Sequence, residues 1–266
     1  MNAERDELLA ALADAGARFN ALARRVPAPS APVRNSQWTT AELVAHVAAG
    51  VDAYARYLEG ETEPWVDISD LSGGSLTASN AARLVEEVER DVAVLARRSD
   101  ARLAQLLALA QTRSLDEIVP WHGQPEPLRC HLGSSLGEVL LHGRDLAAAI
   151  GAPWEIAKRE ATLVIQNIAP LFPTLVNPDT TRAVRVSIRV KIRGGPTIPL
   201  VFDCGSLTVD RDAKKFDATI SAEPVAFLLV AYGRRSQWSE AARGGIVAWG
   251  PRPWRALKLT TYLVNP

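Results

Sequence analysis

The first 155 residues carry apolar side chains at helical spacing. Leu8, Leu12, Phe19 and Leu22 mark one such stretch, and the proline-rich segment 27–32 ends it. Comparable stretches follow at about 39–57, 78–111 and 128–150, and the stretch 78–111 is predicted as one bent helix or two. The pattern predicts a bundle of four antiparallel helices, with 66–77 and 112–127 as loops.

The periodicity changes after Trp154. A connecting helix is predicted over 156–170, and from Ala183 apolar and polar residues alternate over ten positions, which is typical of a half-buried strand. Further strands are predicted in TIPLVFDC, SLTVD and DATISA, followed by a helix from Pro224 and a last helix near 253–263. We therefore expect two domains: a helical bundle over 1–155, and a smaller α+β domain with a mostly antiparallel sheet over 156–266.

Composition narrows the function classes. The chain of 266 residues is 47% hydrophobic and has no formal net charge, so no overall field draws it to nucleic acid or to an anionic membrane. It lacks the pattern of a secretory signal and any run of 18 apolar residues, which favours a cytoplasmic protein that acts on small molecules. Two cysteines, Cys130 and Cys204, suggest neither a disulfide framework nor a thiolate metal site.

The candidate chemistry lies in two distant helical segments. Glu138 and His142 are four residues apart and share one helix face, and His46 lies beside the apolar stripe of the segment 39–57. Two imidazoles and a carboxylate match the ligand set of catalytic zinc, which leaves a position open for water or substrate. From spacing alone, however, a histidine at the edge of the core and bonded to a carbonyl is the simpler interpretation of His46.

Other residues extend this picture. Asp145, one turn beyond His142, is a candidate either to orient a ligand imidazole or to cap local backbone. His131 lies two turns before Glu138, about 10 Å along the helix, which is too far for it to share the same ion. His122 is predicted in a loop, and Trp38 as a hydrophobic anchor before the His46 helix.

Three segments carry a resemblance to a known family. WTTAELVAHVA, GEVLLHGRDLAAAIG and DATISAEPVAFLLVAYGRR resemble the mycothiol-dependent maleylpyruvate isomerase family, with a DinB-like metal-binding bundle and a C-terminal sterol-carrier-protein-like domain. The resemblance implies that His46, Glu138 and His142 are the ligands of a divalent metal, for which zinc fits best. It also implies that Arg234 or Arg235 approaches the thiol or an acidic substrate.

The resemblance further implies mycothiol, the small thiol of actinobacteria, as cosubstrate. A metal-bound thiolate would attack a small electrophilic substrate, which could bear a carboxylate, as an isomerase or as a thiol S-transferase. The alternative is a metal-binding but non-catalytic module for a ligand or partner. The substrate, the outcome of the reaction, the metal and the oligomeric state stay open at this point.

Overall fold

The computed structural model describes residues 2–34, 36–64 and 75–264. These residues form two compact units that divide between Ile156 and Ala157. The predicted fold class is confirmed: helices come first, and a smaller unit with a mostly antiparallel sheet follows. The loop predicted over 66–77 lies outside the described residues up to 74, and Ser75 begins a helix.

The first unit is mainly helical. Its elements are α1 (Asn2–Ala23), α2 (Thr40–Leu58), α3 (Ser75–Glu86), α4 (Val92–Ala110), β1 (Ile118–Trp121), β2 (Gln124–Pro127) and α5 (Leu128–Ile150). Helices α1 and α2 each pack against both α4 and α5, which makes a four-helix arrangement. The long pattern over 78–111 is two helices, α3 and α4, with Asp91 capping the start of α4.

The segment 112–127 corrects a prediction, because it contains a β-hairpin as well as loop. Strands β1 and β2 pair antiparallel through a two-residue turn, His122 and Gly123, which both have positive φ. Such a turn matches the twist of the strands, and its glycine is the usual signal for it. Three prolines within strands of only four residues hid this signal in the sequence.

Helix α2 has a well-defined start. Thr39 is its N-cap, and its side chain accepts a hydrogen bond from the backbone N–H of Glu42, while Glu42 accepts one from the backbone N–H of Thr39. This capping box satisfies two backbone donors that a helix end leaves free. It fixes the first turn of the helix that carries His46.

The second unit is a five-stranded sheet with helices. Its helices are α6 (Lys158–Ile168), α7 (Pro178–Thr181), α8 (Pro224–Ala231), α9 (Gln237–Ala242) and α10 (Leu259–Tyr262), with 3₁₀ turns at Ala169–Leu171 and Pro253–Lys258. Its strands are β3 (Arg185–Ile192), β4 (Thr197–Asp203), β5 (Ser206–Val209), β6 (Ala218–Ala222) and β7 (Ile246–Trp249). The order is β5-β4-β3-β6-β7, and only β3 and β6 run parallel.

The strand predicted from alternation is confirmed as β3. Val186, Ile188, Val190 and Ile192 are buried, so its apolar face belongs to the core of this unit. Three elements were missed, α7, α9 and β7, and the predicted last helix is a 3₁₀ turn followed by a short α-helix. These pieces are of only four to six residues, too short to show a period.

Candidate metal centre

Helices α2 and α5 bring His46, Glu138 and His142 together. One potential ligand atom from each of the three lies within 4.8 Å of the others. Nε2 of His46 is 3.3 Å from Oε2 of Glu138, and Nε2 of His142 is 3.2 Å from the same oxygen. Among the described residues, this is the one group of three or more such side chains that could hold an ion.

The local fold explains this convergence. Glu138 and His142 are one turn apart on α5, so their side chains lie on the same face of the helix. His46 lies in the second turn of α2, which packs against α5, and its side chain is 5% exposed. Both imidazoles direct Nε2 to one carboxylate oxygen, an arrangement that fits a cation bound by two nitrogens and one oxygen. That they bind a metal stays a prediction.

The charge of Glu138 is stabilised where it lies. Removal from water raises the pKa of this carboxyl, but hydrogen bonds from His142 and His46, together with their positive charge when protonated, lower the pKa below its usual value. The carboxylate is therefore ionised at neutral pH. A divalent cation between the three side chains would replace the protons that the imidazoles now contribute.

Trp38 covers the two histidines. Its ring centroid lies 4.6 Å from that of His46 and 6.0 Å from that of His142. The residue precedes the N-cap of α2, so the capping box also places this indole. Its predicted role as a hydrophobic anchor of the helix is thus joined by direct ring contact with His46.

Two charged side chains lie near His142. Oδ2 of Asp145 is 3.7 Å from Nδ1 of His142, on the side of the ring that faces away from Glu138. At this distance Asp145 is an ion-pair neighbour and not a hydrogen-bond partner of Nδ1, so its role in orienting the imidazole stays a prediction. Arg144 lies 3.8 Å from the other oxygen of Asp145, so it contributes positive charge beside this carboxylate.

Gly143 allows Trp154 to approach α5 next to His142. A Cβ at Gly143 would lie 2.2 Å from a ring atom of Trp154, and the indole N–H donates to the carbonyl of Leu140 at 3.0 Å. The guanidinium carbon of Arg18 in α1 lies over this ring, 4.9 Å from its centroid. The glycine between a candidate ligand and Arg144 is therefore required by packing.

A second group of polar side chains lies deeper between α2, α5 and the hairpin. His131 is fully buried, and its ring is 5.9 Å from those of Tyr54 and Tyr57. His122, at 8% exposure, lies against the same two tyrosines, with its Nδ1 3.5 Å from the hydroxyl of Tyr57. The prediction of His122 as a simple loop residue is therefore incomplete: it occupies a tight turn whose side chain is buried.

Burial keeps both of these histidines neutral. It lowers the pKa of His122 to about 4, although the charge of Glu138 acts in the opposite direction. Burial and the neighbouring His122 lower the pKa of His131 to about 3. The same apolar interior raises the pKa of the Cys130 thiol to about 12, so this cysteine is not a nucleophile at neutral pH.

Arg234 and Arg235 lie in the second unit, after helix α8. Both backbone N–H groups donate to the carbonyl of Leu229, which closes the end of the helix. The guanidinium of Arg234 donates to the carbonyl of Tyr232, and that of Arg235 forms an ion pair of 3.1 Å with the buried Glu240. Their predicted contact with the thiol or substrate stays a prediction.

Comparison with known proteins places the first unit in a family. A family model described as the mycothiol maleylpyruvate isomerase N-terminal domain matches residues 9–147, which is more than half of the chain. The chain belongs to this family. The matched residues include His46, Glu138 and His142. The resemblance inferred from the sequence is thus confirmed.

Solved structures agree at the level of the fold. A crystal structure of the mycothiol-dependent maleylpyruvate isomerase matches with a TM-score of 0.51 and 16% identity, over 94% of this chain and 95% of that chain. A histidine-to-alanine mutant of that isomerase matches with a TM-score of 0.54 and 15% identity, over the same shares. At 15–16% identity, these matches show that the two proteins share a fold, and nothing more specific.

Two further findings limit the comparison. No curated protein matches the chain at a significant level. Of the helices in the described ranges, none combines the length and apolar character needed to cross a bilayer.

Proposed function

We propose that the protein is a metal-dependent enzyme that uses mycothiol to isomerise, or to transfer a thiol to, a small electrophilic substrate. The observation that carries this proposal is the convergence of His46, Glu138 and His142 at the interface of α2 and α5, within the residues that match the family model. Zinc fits the donor set best, since two imidazoles and one carboxylate leave it a free coordination position.

Each residue of the group has a definite part. The Nε2 atoms of His46 and His142 and the carboxylate of Glu138 would hold the ion, whose positive charge lowers the pKa of a thiol that binds it. With the ion bound, Asp145, which lies 3.7 Å from Nδ1 of His142, would accept a hydrogen bond from that nitrogen and so leave Nε2 to the metal, and Trp38 would limit the approach of water from its side. A thiolate at this site could add to an electrophilic double bond of the substrate.

The fate of the thiol decides between the two reactions. In an isomerase the thiolate adds, rotation follows about the bond that has become single, and the thiolate leaves. In a transferase it stays on the product. The two outcomes differ in whether mycothiol is consumed, which a free-thiol assay measures directly while the product is identified by mass.

The role of the arginines is testable separately. We propose that Arg234 or Arg235, which follow each other after α8, binds an anionic group of the thiol or substrate. Arg234→Gln or Arg235→Gln should raise KM for an anionic substrate at least tenfold with metal content unchanged. An unchanged KM in both Arg234→Gln and Arg235→Gln would remove them from the site.

Metal content tests the site itself. The purified protein should contain about one equivalent of a divalent metal, and Glu138→Gln and His142→Ala should lose it while their circular dichroism stays that of a folded protein. Glu86→Gln, an exposed helix residue of the same unit, is the matched control and should keep the metal. Full metal content in Glu138→Gln and His142→Ala would refute the three-ligand site.

Activity is measured next, with mycothiol and maleylpyruvate, and then with generic electrophiles. Turnover that requires both the thiol and the metal supports the enzyme. A protein that binds metal but shows no thiol-dependent turnover above that of the metal-free form would instead be the non-catalytic binding module.

A further inference from the structure

Strand β7 leaves one edge of the sheet in the second unit open. It pairs with β6 on one side, and no strand of the described residues pairs with its other side. A strand at such an edge presents unpaired N–H and C=O groups, to which another extended chain can add as a further strand.

The register with β6 shows which backbone groups face the open edge. Ile246 lies opposite Ala222, and one step farther along the carbonyl of Gly245 accepts a hydrogen bond of 2.8 Å from the N–H of Glu223. In an antiparallel pair such bonds recur at every second residue, so the odd-numbered residues of β7 bond to β6. The backbone N–H and C=O groups of Ile246 and Ala248 therefore point away from β6, toward the open edge.

The two faces of β7 also differ. The side chains of Ile246 and Ala248 face inward, where they line an apolar cavity of this unit. Val247 and Trp249 lie on the outer face and are 47% and 46% exposed. A residue opposite Val247 on an added antiparallel strand would form a pair without mutual hydrogen bonds, in which side chains approach most closely. Apolar side chains at alternate positions of such a strand would cover both exposed residues.

Arginine side chains lie beside the start of β7. Arg193 donates at 2.6 Å to the carbonyl of Gly244, two residues before the strand, and its hydrogen-bond acceptors among the described residues include no carboxylate. Arg243 is 69% exposed and shares the single carboxylate of Glu240 with Arg235. This end of the strand therefore carries more positive charge than its carboxylate neutralises.

The charges at both ends decide between two kinds of occupant. Arg252 follows β7, is 56% exposed and forms an ion pair of 3.3 Å with Asp217. Antiparallel pairing of β7 with the β7 of a second copy would bring Arg243 of one chain near Arg252 of the other, and like charges on paired strands are destabilising. Carboxylates on a different chain would instead complement the arginines.

We propose that β7 binds an extended, acidic segment of a partner protein as an additional antiparallel strand. Alternate apolar side chains of the segment cover Val247 and Trp249, and carboxylates on either side of them meet Arg193, Arg243 and Arg252. The site uses neither the metal nor the thiol proposed for the first unit, so it does not depend on the proposed enzyme function.

Fluorescence anisotropy of a labelled peptide provides the first test. The peptide alternates valine and threonine at five central positions and carries two glutamates at each end. The full chain, kept in chelator, should bind it saturably and at least tenfold more tightly than the same peptide with lysines in place of the glutamates. No saturable binding, or equal binding of the lysine peptide, would overturn the proposal.

A pair of valine variants locates the binding. Val247→Asp places a carboxylate where an apolar side chain of the peptide would lie, and it should weaken binding at least tenfold. Val88→Asp makes the same change at a residue of the first unit that is 84% exposed, and it should leave binding within twofold. Both variants should keep the circular dichroism of the wild type. Equal effects of the two would show that the peptide binds elsewhere.

Amide hydrogen exchange, measured by NMR, identifies the backbone contact. The N–H groups of Ile246 and Ala248 should exchange at least tenfold more slowly with the peptide bound, whereas those of Val247 and Trp249, already bonded to β6, should change by less than threefold. Equal protection of the two sets would mean that no strand is added. A dimer of the free protein that Val247→Asp dissociates, seen by analytical ultracentrifugation, would assign the edge to a second copy and would also overturn the proposal.

Discussion

The buried His131 predicts a specific loss of stability in mild acid. Its pKa is about 3 in the folded chain instead of the ordinary 6.5, because burial and the neighbouring His122 disfavour the charged form. Between these two values the unfolded chain binds a proton that the folded chain does not. The stability that this difference provides is fully present above pH 6.5 and is lost as the pH falls below it.

The size of the effect follows from the two pKa values. At pH 5 the unfolded chain has gained about 2 kcal/mol from protonating this histidine, whereas the folded form has gained almost nothing. His122, with a pKa of about 4, adds a similar amount at pH 5. The two together should lower the free energy of unfolding by about 4 kcal/mol between pH 7 and pH 5. His131→Phe should reduce that loss to about 2 kcal/mol.

Urea unfolding, followed by circular dichroism at pH 7 and pH 5 in chelator, measures this difference. Glu138 does not interfere, because its lowered pKa costs stability only as the pH falls below the unfolded value of 4.5. His131→Leu is the control: its packing cost differs from that of His131→Phe, but its pH dependence should be the same. If the wild type and both variants lost equal stability between the two pH values, His131 would not be buried in its neutral form.

Three further substitutions have predictable effects on the free energy of unfolding, each measured by urea titration at pH 7. Gly143→Ala should destabilise the protein by about 2 kcal/mol, because the new methyl group meets the Trp154 ring and this steric cost exceeds the gain in helix propensity from alanine. In the double variant with Trp154→Ala, the two losses of stability should be less than additive. Thr39→Ala should cost about 1 kcal/mol by removing the N-cap of α2, and Thr39→Ser should restore most of it. Glu240→Ala should cost only about 1 kcal/mol although the carboxylate is buried, since water can solvate the exposed guanidinium groups of its partners; a loss above about 3 kcal/mol would mean that those arginines are desolvated.

Local periodicity predicted the parts of the fold that are long and regular. The apolar stripe of 128–150 gave α5 with its observed bounds, and the alternation from Ala183 gave β3. The hairpin at 118–127 and the strand β7 were missed because four-residue strands carry too few positions to show a period. The apolar cavity is equally hidden in the sequence, since short helices and turns from separate segments form its walls.

The candidate metal site was likewise predictable from local sequence only in part. Glu138 and His142 could be paired from one helix, but His46 belongs to the group only because α2 packs against α5, which spacing cannot reveal. Family resemblance supplied that step.

The position of His131 shows what neither signal supplied. It lies seven residues before Glu138 on α5, too far to share its ion, and a polar residue at this place would ordinarily face water. The tertiary fold instead encloses it with Tyr54 and Tyr57, eight and eleven residues after His46 on α2. Helices α2 and α5 thus carry the charged group around Glu138, and farther along their length they carry the buried, uncharged group around His131. Because the two histidines there are neutral at pH 7, the interior behind Glu138 adds no positive charge that would compete with a cation for its carboxylate.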